Sequence, residues 1–157
     1  MWLGTSGCSS VSIQSNEDPA SVHKLSRLFI LIRQDDVKNR QLTDDLMADL
    51  GICFSNRPTR IEVAVISPLN LDDNVYDRKV REFDADSVLT ISMQHFIVDP
   101  YGGMPTINYD ASLFDAFTKK RLWRAAIVNS GSTEAMERRM QKMAQSIVSQ
   151  LERDGFL

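Results

Sequence analysis

The sequence predicts an α/β fold in which a single mixed five-stranded sheet packs with three helices, in the order β-α-β-α-β-β-β-α. Two short apolar runs, residues 25–32 and 61–67, are typical of buried strands, and a segment with a helical apolar period lies between them. From Ser87 onward the apolar period changes to two, which predicts three consecutive strands. Strands separated by helices pair in parallel and consecutive strands form a meander, so we predict the strand order 2-1-3-4-5.

The apolar residues of each predicted helix recur every three or four positions. The first helix is predicted over residues 39–54, with an apolar stripe of Leu42, Leu46, Leu50 and Phe54. Asp72 and Asp73 favour the start of the second helix, because acidic side chains stabilise a helix N-terminus. The third helix is predicted to begin after Ser132 or Thr133 and to stop at Gly155. Its apolar stripe consists of Met136, Met140, Met143, Ile147 and Leu151.

Strict alternation also predicts which side chains of the later strands point inward. In the long third strand, His95 has the same parity as Ile91, so we expect this histidine to point toward the core. In the last strand only one of Leu122 and Trp123 is expected to face the main core. We assign Trp123 to the helix-covered face, because the opposite side carries the charged Arg124.

Bulk properties narrow the class of protein. A chain of 157 residues suits a single domain. Its net charge of −3 is unlike the basic excess of nucleic-acid-binding proteins, so we expect no nucleic-acid partner. No apolar run approaches the ~18 residues that a membrane-spanning helix needs.

The sequence carries no recognisable catalytic motif. His23 and His95 are its only histidines, which excludes a multi-histidine metal site. There is no glycine-rich phosphate-binding loop and no serine-histidine-aspartate order. We therefore predict that the protein is not an enzyme and has no cofactor.

The amino terminus predicts a lipid anchor on Cys8. Ser6, Gly7, Cys8 and Ser9 resemble the lipobox of bacterial lipoproteins, in which a signal peptidase cuts before a cysteine whose sulfur receives a diacylglyceryl group. A complete signal peptide needs a basic start and 7–15 apolar residues, so residues 1–7 are interpreted as the tail of a longer signal. By the same resemblance, a Ser9 in place of aspartate favours the periplasmic face of the outer membrane.

Residues 8–22 are predicted to be the lipidated cysteine followed by a flexible tether, and residues 23–157 the α/β domain. The tether is rich in serine, with scattered apolar residues that cannot bury enough surface to fold. Cys53 lies within the first helical stripe, which favours burial of its thiol over a disulfide with Cys8.

The element order, the segment Asp84–Leu89 and residues 115–123 resemble a broad group of envelope lipoproteins. Their domain is similar to the amino-terminal domain of the Tol-system propeller protein and to the curli-secretion lipoprotein. The resemblance implies an accessory or scaffolding role in the periplasm, exerted by binding another envelope protein or assembly.

Four basic residues around the last hairpin form the candidate partner-binding site: Lys119, Lys120, Arg121 and Arg124. They suit an acidic partner protein or lipid head groups. The alternative is an ordinary solvated surface.

Two acidic pairs suggest a rival function, a divalent-metal-dependent hydrolase or sensor. Asp35 and Asp36 follow the first predicted strand, and Asp72 and Asp73 follow the second. Carboxylates at the carboxyl ends of neighbouring parallel strands can supply the oxygen ligands of Mg²⁺ or Ca²⁺. The simpler interpretation is that both pairs cap helices.

Overall fold

In the computed structural model, residues 11–34, 39–67, 69–72, 74–130 and 135–157 are described. They form six strands and three helices in one domain. The strands are β1 (Val11–Glu17), β2 (Arg27–Arg33), β3 (Arg60–Ile66), β4 (Ser87–Ile97), β5 (Thr106–Asp115) and β6 (Arg121–Asn129). The helices are α1 (Arg40–Phe54), α2 (Val75–Glu82) and α3 (Met136–Arg153), and a 3-10 turn covers Pro19–Ser21.

All six strands belong to one mixed sheet with the order β1-β6-β5-β4-β2-β3. Strand β2 pairs in parallel with β3 and with β4, while β4, β5, β6 and β1 pair antiparallel in succession. The mixed α/β class and the three helices are therefore confirmed. The five-stranded sheet with the order 2-1-3-4-5 is wrong, because β1 adds a sixth strand along β6.

Strand β1 lies in the segment for which we predicted a flexible tether. Its seven residues pair with β6 over the register from Val11 opposite Asn129 to Glu17 opposite Trp123. The strand needs little apolar surface because it lies at the edge of the sheet. Val11 is buried and Ile13 packs against the core, while Ser12 and Gln14 are exposed. Residues 11–21 are thus part of the folded domain.

The main core lies between the sheet and helices α1 and α3. The buried side chains of the α1 stripe are Leu46, Leu50 and Phe54, while Leu42 packs against them. The stripe of α3 is buried from Met140 onward, so its methionines form part of the core. Trp123 is buried among these residues and Arg124 is exposed, which confirms the predicted placement of these two side chains.

A second, smaller core lies on the opposite face of the sheet. There α2 supplies Val80, which packs with Phe29 of β2 and Ala64 of β3. No described helix covers β5, β6 and β1 on this face. Many of its side chains are accordingly polar or small, as at Gln14, Asp110 and Ala126.

Two bulges break the strict alternation on which the sequence analysis relied. The register of β4 against β5 shifts between Met93 and His95, and His95 is exposed instead of pointing inward. The register of β5 against β6 shifts between Leu113 and Phe114, beside Leu122. Leu122 is consequently buried together with Trp123, and the expectation that only one of them contributes to the core was wrong.

The carboxylate of Asp154 ties β1, β6 and α3 together. Its Oδ2 accepts hydrogen bonds from the Ser15 hydroxyl at 2.6 Å and from the Trp123 indole Nε1 at 2.7 Å. The amide of Gln150 donates to its Oδ1 at 3.0 Å. Burial by itself would raise the pKa of Asp154, but these hydrogen bonds to the ionised form hold it below its ordinary value.

Replacing Asp154 with asparagine should destabilise the protein by about 1–3 kcal/mol at pH 7, since hydrogen bonds to a charged group are lost. Because the folded-state pKa lies below the unfolded one, this contribution is complete above the unfolded pKa and disappears as the pH falls through the folded pKa. The free energies of unfolding of the parent protein and the Asp154→Asn variant, measured with urea, should therefore converge as the pH is lowered below about 4. Asp44→Asn, which removes an exposed ion pair on α1, is the matched control and should change stability by less than about 0.5 kcal/mol.

Candidate functional site

The basic residues predicted to bind a partner gather at the turn between β5 and β6. Asp115 builds this turn, because its carboxylate accepts the backbone N–H groups of Phe117 at 2.9 Å and Thr118 at 2.7 Å. The hydrogen bond from Thr118 is the main reason why the pKa of Asp115 is lowered. Lys119 has a positive φ of 60°, which completes a tight reversal of the chain.

Two of the four predicted basic residues are neutralised by acidic neighbours. The Lys120 ammonium contacts an Asp18 carboxylate oxygen at 2.5 Å, and this hydrogen bond lowers the pKa of Asp18. Arg124 makes a two-pronged contact with Asp110 on β5, with its Nε and Nη2 at 3.1 and 3.2 Å from the carboxylate oxygens. The first pair links the residue after β1 to the β5–β6 turn, and the second lies across β5 and β6, so Lys120 and Arg124 are less available to a partner.

Of the four predicted residues, Lys119 and Arg121 remain as accessible cations. Within the described part of the chain, neither is paired with a carboxylate. The Arg121 guanidinium lies over the ring of Phe114, 5.8 Å from its centroid. Lys119 and Arg81 of α2 line a cavity of about 370 Å³ together with Phe117, and the acidic residues Asp77 and Asp84 line it as well.

Arg81 was missed in the sequence analysis, although its helix carries Lys79 and Arg81 in its last turn. Nothing local to α2 shows that its end lies beside the β5–β6 turn. The fold therefore places Lys119, Arg121 and Arg81 at one edge of the domain, beside the exposed ring of Phe117. We call these four residues the basic edge.

The open face of the sheet carries a groove next to the basic edge. This groove has a volume of about 560 Å³ and follows β1 and β6. Its floor includes the side chains of Glu17, Asp110 and Arg124, so both signs of charge occur along it. A surface of this kind suits a polar protein partner better than an apolar small molecule.

Of the four acidic residues of the alternative metal site, the structure describes only Asp72. Asp35, Asp36 and Asp73 lie outside the described residues. The Asp72 carboxylate accepts the backbone N–H of Asn74 at 3.0 Å and lies 3.6 Å from the Arg78 guanidinium, both of which belong to the start of α2. Asp72 thus acts as a helix-start residue. In the described ranges, no group of three or more His, Cys, Asp or Glu side chains is placed to hold a metal ion.

A smaller cavity of about 160 Å³ opens where the carboxyl end of β2 meets β4. Ligands usually bind beyond the carboxyl ends of strands in open α/β sheets. Its buried walls come from Leu46 and Tyr109, and Thr43 adds a hydroxyl. Burial raises the pKa of Tyr109 well above its usual range, so this phenol stays protonated. None of the described lining residues is a carboxylate.

The two cysteines are also distinguished by position. Cys53 is half-buried on α1 and packs against the main core, and burial is the main cause of the raised pKa of its thiol. Cys8 lies outside the described residues, so its modification stays a prediction. None of the described helices is both long and apolar enough to cross a membrane.

The fold is shared with two solved bacterial proteins. The structure of PelC from Paraburkholderia phytofirmans, a dodecamer in its crystals, superposes with a TM-score of 0.61 at 12% identity, covering 90% of this chain and 97% of that one. Lipoprotein GNA1162 from Neisseria meningitidis gives a TM-score of 0.52 at 16% identity, covering 82% of this chain and 99% of the other. At such identities the likeness shows the fold alone.

No protein-family model matches the sequence, and no curated protein matches it either. The likeness to PelC and GNA1162 is a likeness of fold. The narrower resemblance to the Tol-system propeller protein and the curli-secretion lipoprotein is not shown.

Proposed function

We propose that this protein is a lipid-anchored accessory or scaffolding protein of the bacterial envelope that binds another envelope protein. The observation that carries the proposal is the lipobox-like Ser6-Gly7-Cys8 placed directly before a domain whose fold is also that of a solved lipoprotein. The acyl chains hold the domain at the periplasmic face of the outer membrane. The role is binding, and no catalytic residue is assigned.

The sheet register places the predicted lipid anchor and the basic edge at opposite ends of β6. Strand β1 begins at Val11, which lies opposite Asn129 at the carboxyl end of β6, whereas Arg121 lies at the other end of that strand. The nine residues of β6 span about 27 Å at ~3.4 Å per residue. A lipid on Cys8 therefore leaves the basic edge facing away from the anchoring membrane.

This placement favours an acidic protein over lipid head groups as the partner of the basic edge. Lys119 and Arg121 have no carboxylate partner among the described ion pairs and lie near the exposed ring of Phe117, whereas Arg81 shares its cavity with Asp77 and Asp84. Cationic side chains around an aromatic anchor are typical of polar interfaces, where charge steers the encounter and the ring supplies buried area.

Photo-crosslinking from position 117 in living cells tests this proposal. A photoreactive amino acid at Phe117 should capture one discrete envelope protein, and the Lys119→Glu, Arg121→Glu double variant should lose most of that product through charge repulsion. The matched control is Arg40→Glu with Arg138→Glu, which reverses two exposed cations on α1 and α3. Equal capture in both double variants, or no discrete product at all, would contradict the proposed docking edge.

A further inference from the structure

The β4–β5 hairpin ends in an exposed apolar tip. Strand β4 loses its partner β2 after Ser92, and beyond that residue it pairs with β5 alone. Several large apolar side chains are exposed on and beyond this extension. They are Phe96, Ile97, Val98, Tyr101 and Met104, and we call them the apolar tip.

Hydrogen bonds hold the base and the loop of this hairpin in place. At the base, the buried Arg139 of α3 donates from Nη2 to the carbonyl oxygens of Pro105 at 2.7 Å and Asn129 at 2.6 Å. In the loop, the Asp99 carboxylate accepts the backbone N–H of Tyr101 at 2.8 Å. The loop then turns through Gly102, whose φ of +84° favours glycine. These hydrogen bonds fix the position of the apolar tip at the end of the β4–β5 hairpin.

The apolar tip and the start of β1 lie at the same end of the strands. In register, Val11 is opposite Asn129, Asn129 is opposite Ile107, and Ile107 is opposite Phe96. Three strand spacings of about 4.8 Å therefore separate Val11 laterally from Phe96. Cys8 is three residues before Val11, and three residues of extended chain reach at most about 11 Å.

From this register we infer that the apolar tip inserts into the interfacial layer of the membrane to which Cys8 is anchored. The inference rests on the proposed lipid anchor. An anchor within about 11 Å of Val11 holds this edge of the domain at the bilayer surface, where the hairpin meets the lipid. Insertion of the tip would fix the orientation of the domain and keep the basic edge directed outward.

The chemistry of the tip fits a lipid interface. From Phe96 to Ile107 the chain contains no lysine or arginine, and its single acid, Asp99, is engaged by its own loop. Tyrosine favours the boundary between head groups and acyl chains, where its hydroxyl stays hydrated, and phenylalanine suits the apolar face that is buried there. The net charge of −3 gives no electrostatic attraction to anionic lipid, so apolar insertion carries the contact.

Tryptophan fluorescence on vesicles tests the insertion. The chain beginning at Cys8, with Cys53→Ser so that one thiol remains, is coupled through Cys8 to maleimide lipid in phosphatidylethanolamine–phosphatidylglycerol vesicles. Tyr101→Trp should show a blue-shifted emission that brominated lipids quench several-fold. Phe117→Trp, an exposed ring at the opposite edge, should show neither, and the parent chain supplies the background of Trp123.

The possible outcomes distinguish a failure of the tip insertion from a failure of the proposed lipid anchor. Coupled protein that floats with the vesicles but leaves Tyr101→Trp unquenched would overturn the insertion, whatever the native state of Cys8. Loss of self-association in Tyr101→Ser, seen by analytical ultracentrifugation without quenching on vesicles, would assign the tip to a second copy and also overturn it. Native protein that does not float with membranes would instead overturn the anchor.

Discussion

Replacing Trp123 with alanine is expected to destabilise the domain by roughly 3–5 kcal/mol, which is the usual cost of removing a large buried aromatic side chain. Trp123 is 1% exposed, packs in the main core beneath α3, and donates to Asp154 through its indole nitrogen. Such a loss is a large part of the 5–15 kcal/mol that typically stabilises a domain. Urea unfolding followed by circular dichroism measures it, on a chain that retains β1.

The matched control for Trp123 is its neighbour Arg124, whose side chain points to the open face of the sheet. Arg124→Ala removes an ion pair with Asp110 in which the arginine side chain is 57% exposed, so the expected cost is below about 1 kcal/mol. The reverse ranking of the two variants would mean that α1 and α3 do not pack on the face that we describe.

Replacing Cys8 with alanine is expected to move the protein from the membrane fraction to the soluble periplasmic fraction. Each buried CH₂ of an acyl chain contributes about 0.8 kcal/mol to membrane binding. Two or more acyl chains therefore keep a domain at the membrane, whereas one apolar hairpin alone does not. The variant is to be secreted through a signal with an ordinary cleavage site, because an uncleaved signal would itself retain the protein. Fractionation followed by immunoblotting measures the distribution.

Cys53→Ala is the control for the anchor, since Cys53 is the other cysteine of the chain and packs against the core. It should leave the protein in the membrane fraction. Retention of the secreted Cys8→Ala variant in the membrane would instead assign membrane attachment to a different part of the molecule.

Patterns with many apolar positions were sufficient to predict most of the architecture. The α1 stripe and the α3 stripe each repeat over several turns, and the burial of Leu46, Leu50, Met140 and Ile147 follows from that period. The parallel and antiparallel pairs follow from which strands are separated by helices.

Strand β1 was missed because its signal is short. Only Val11 and Ile13 alternate with polar residues, and the third inward position is Ser15, which is satisfied by Asp154 and Gln150 from α3. Those partners are more than 130 residues away in the chain. An edge strand that meets a polar part of a helix has no local apolar pattern to distinguish it from a spacer.

The candidate site was predicted only in part, because some of its residues come from segments that are distant in the chain. The basic run from Lys119 to Arg121 is visible in the sequence, whereas its neutralisation by Asp18 and the contribution of Arg81 depend on distant segments. The alignment of Val11 with the hairpin is likewise a matter of register across four strands, which bulges and turn lengths decide.

Mass spectrometry can decide whether lipid on Cys8 holds the domain at a membrane. Mass spectrometry of the amino-terminal peptide of native protein, isolated from membranes with mild detergent, gives both its first residue and its mass. We expect the peptide to begin at Cys8 and to carry a thioether-linked diacylglyceryl group. A peptide in which an unmodified Cys8 follows Gly7 would contradict the account.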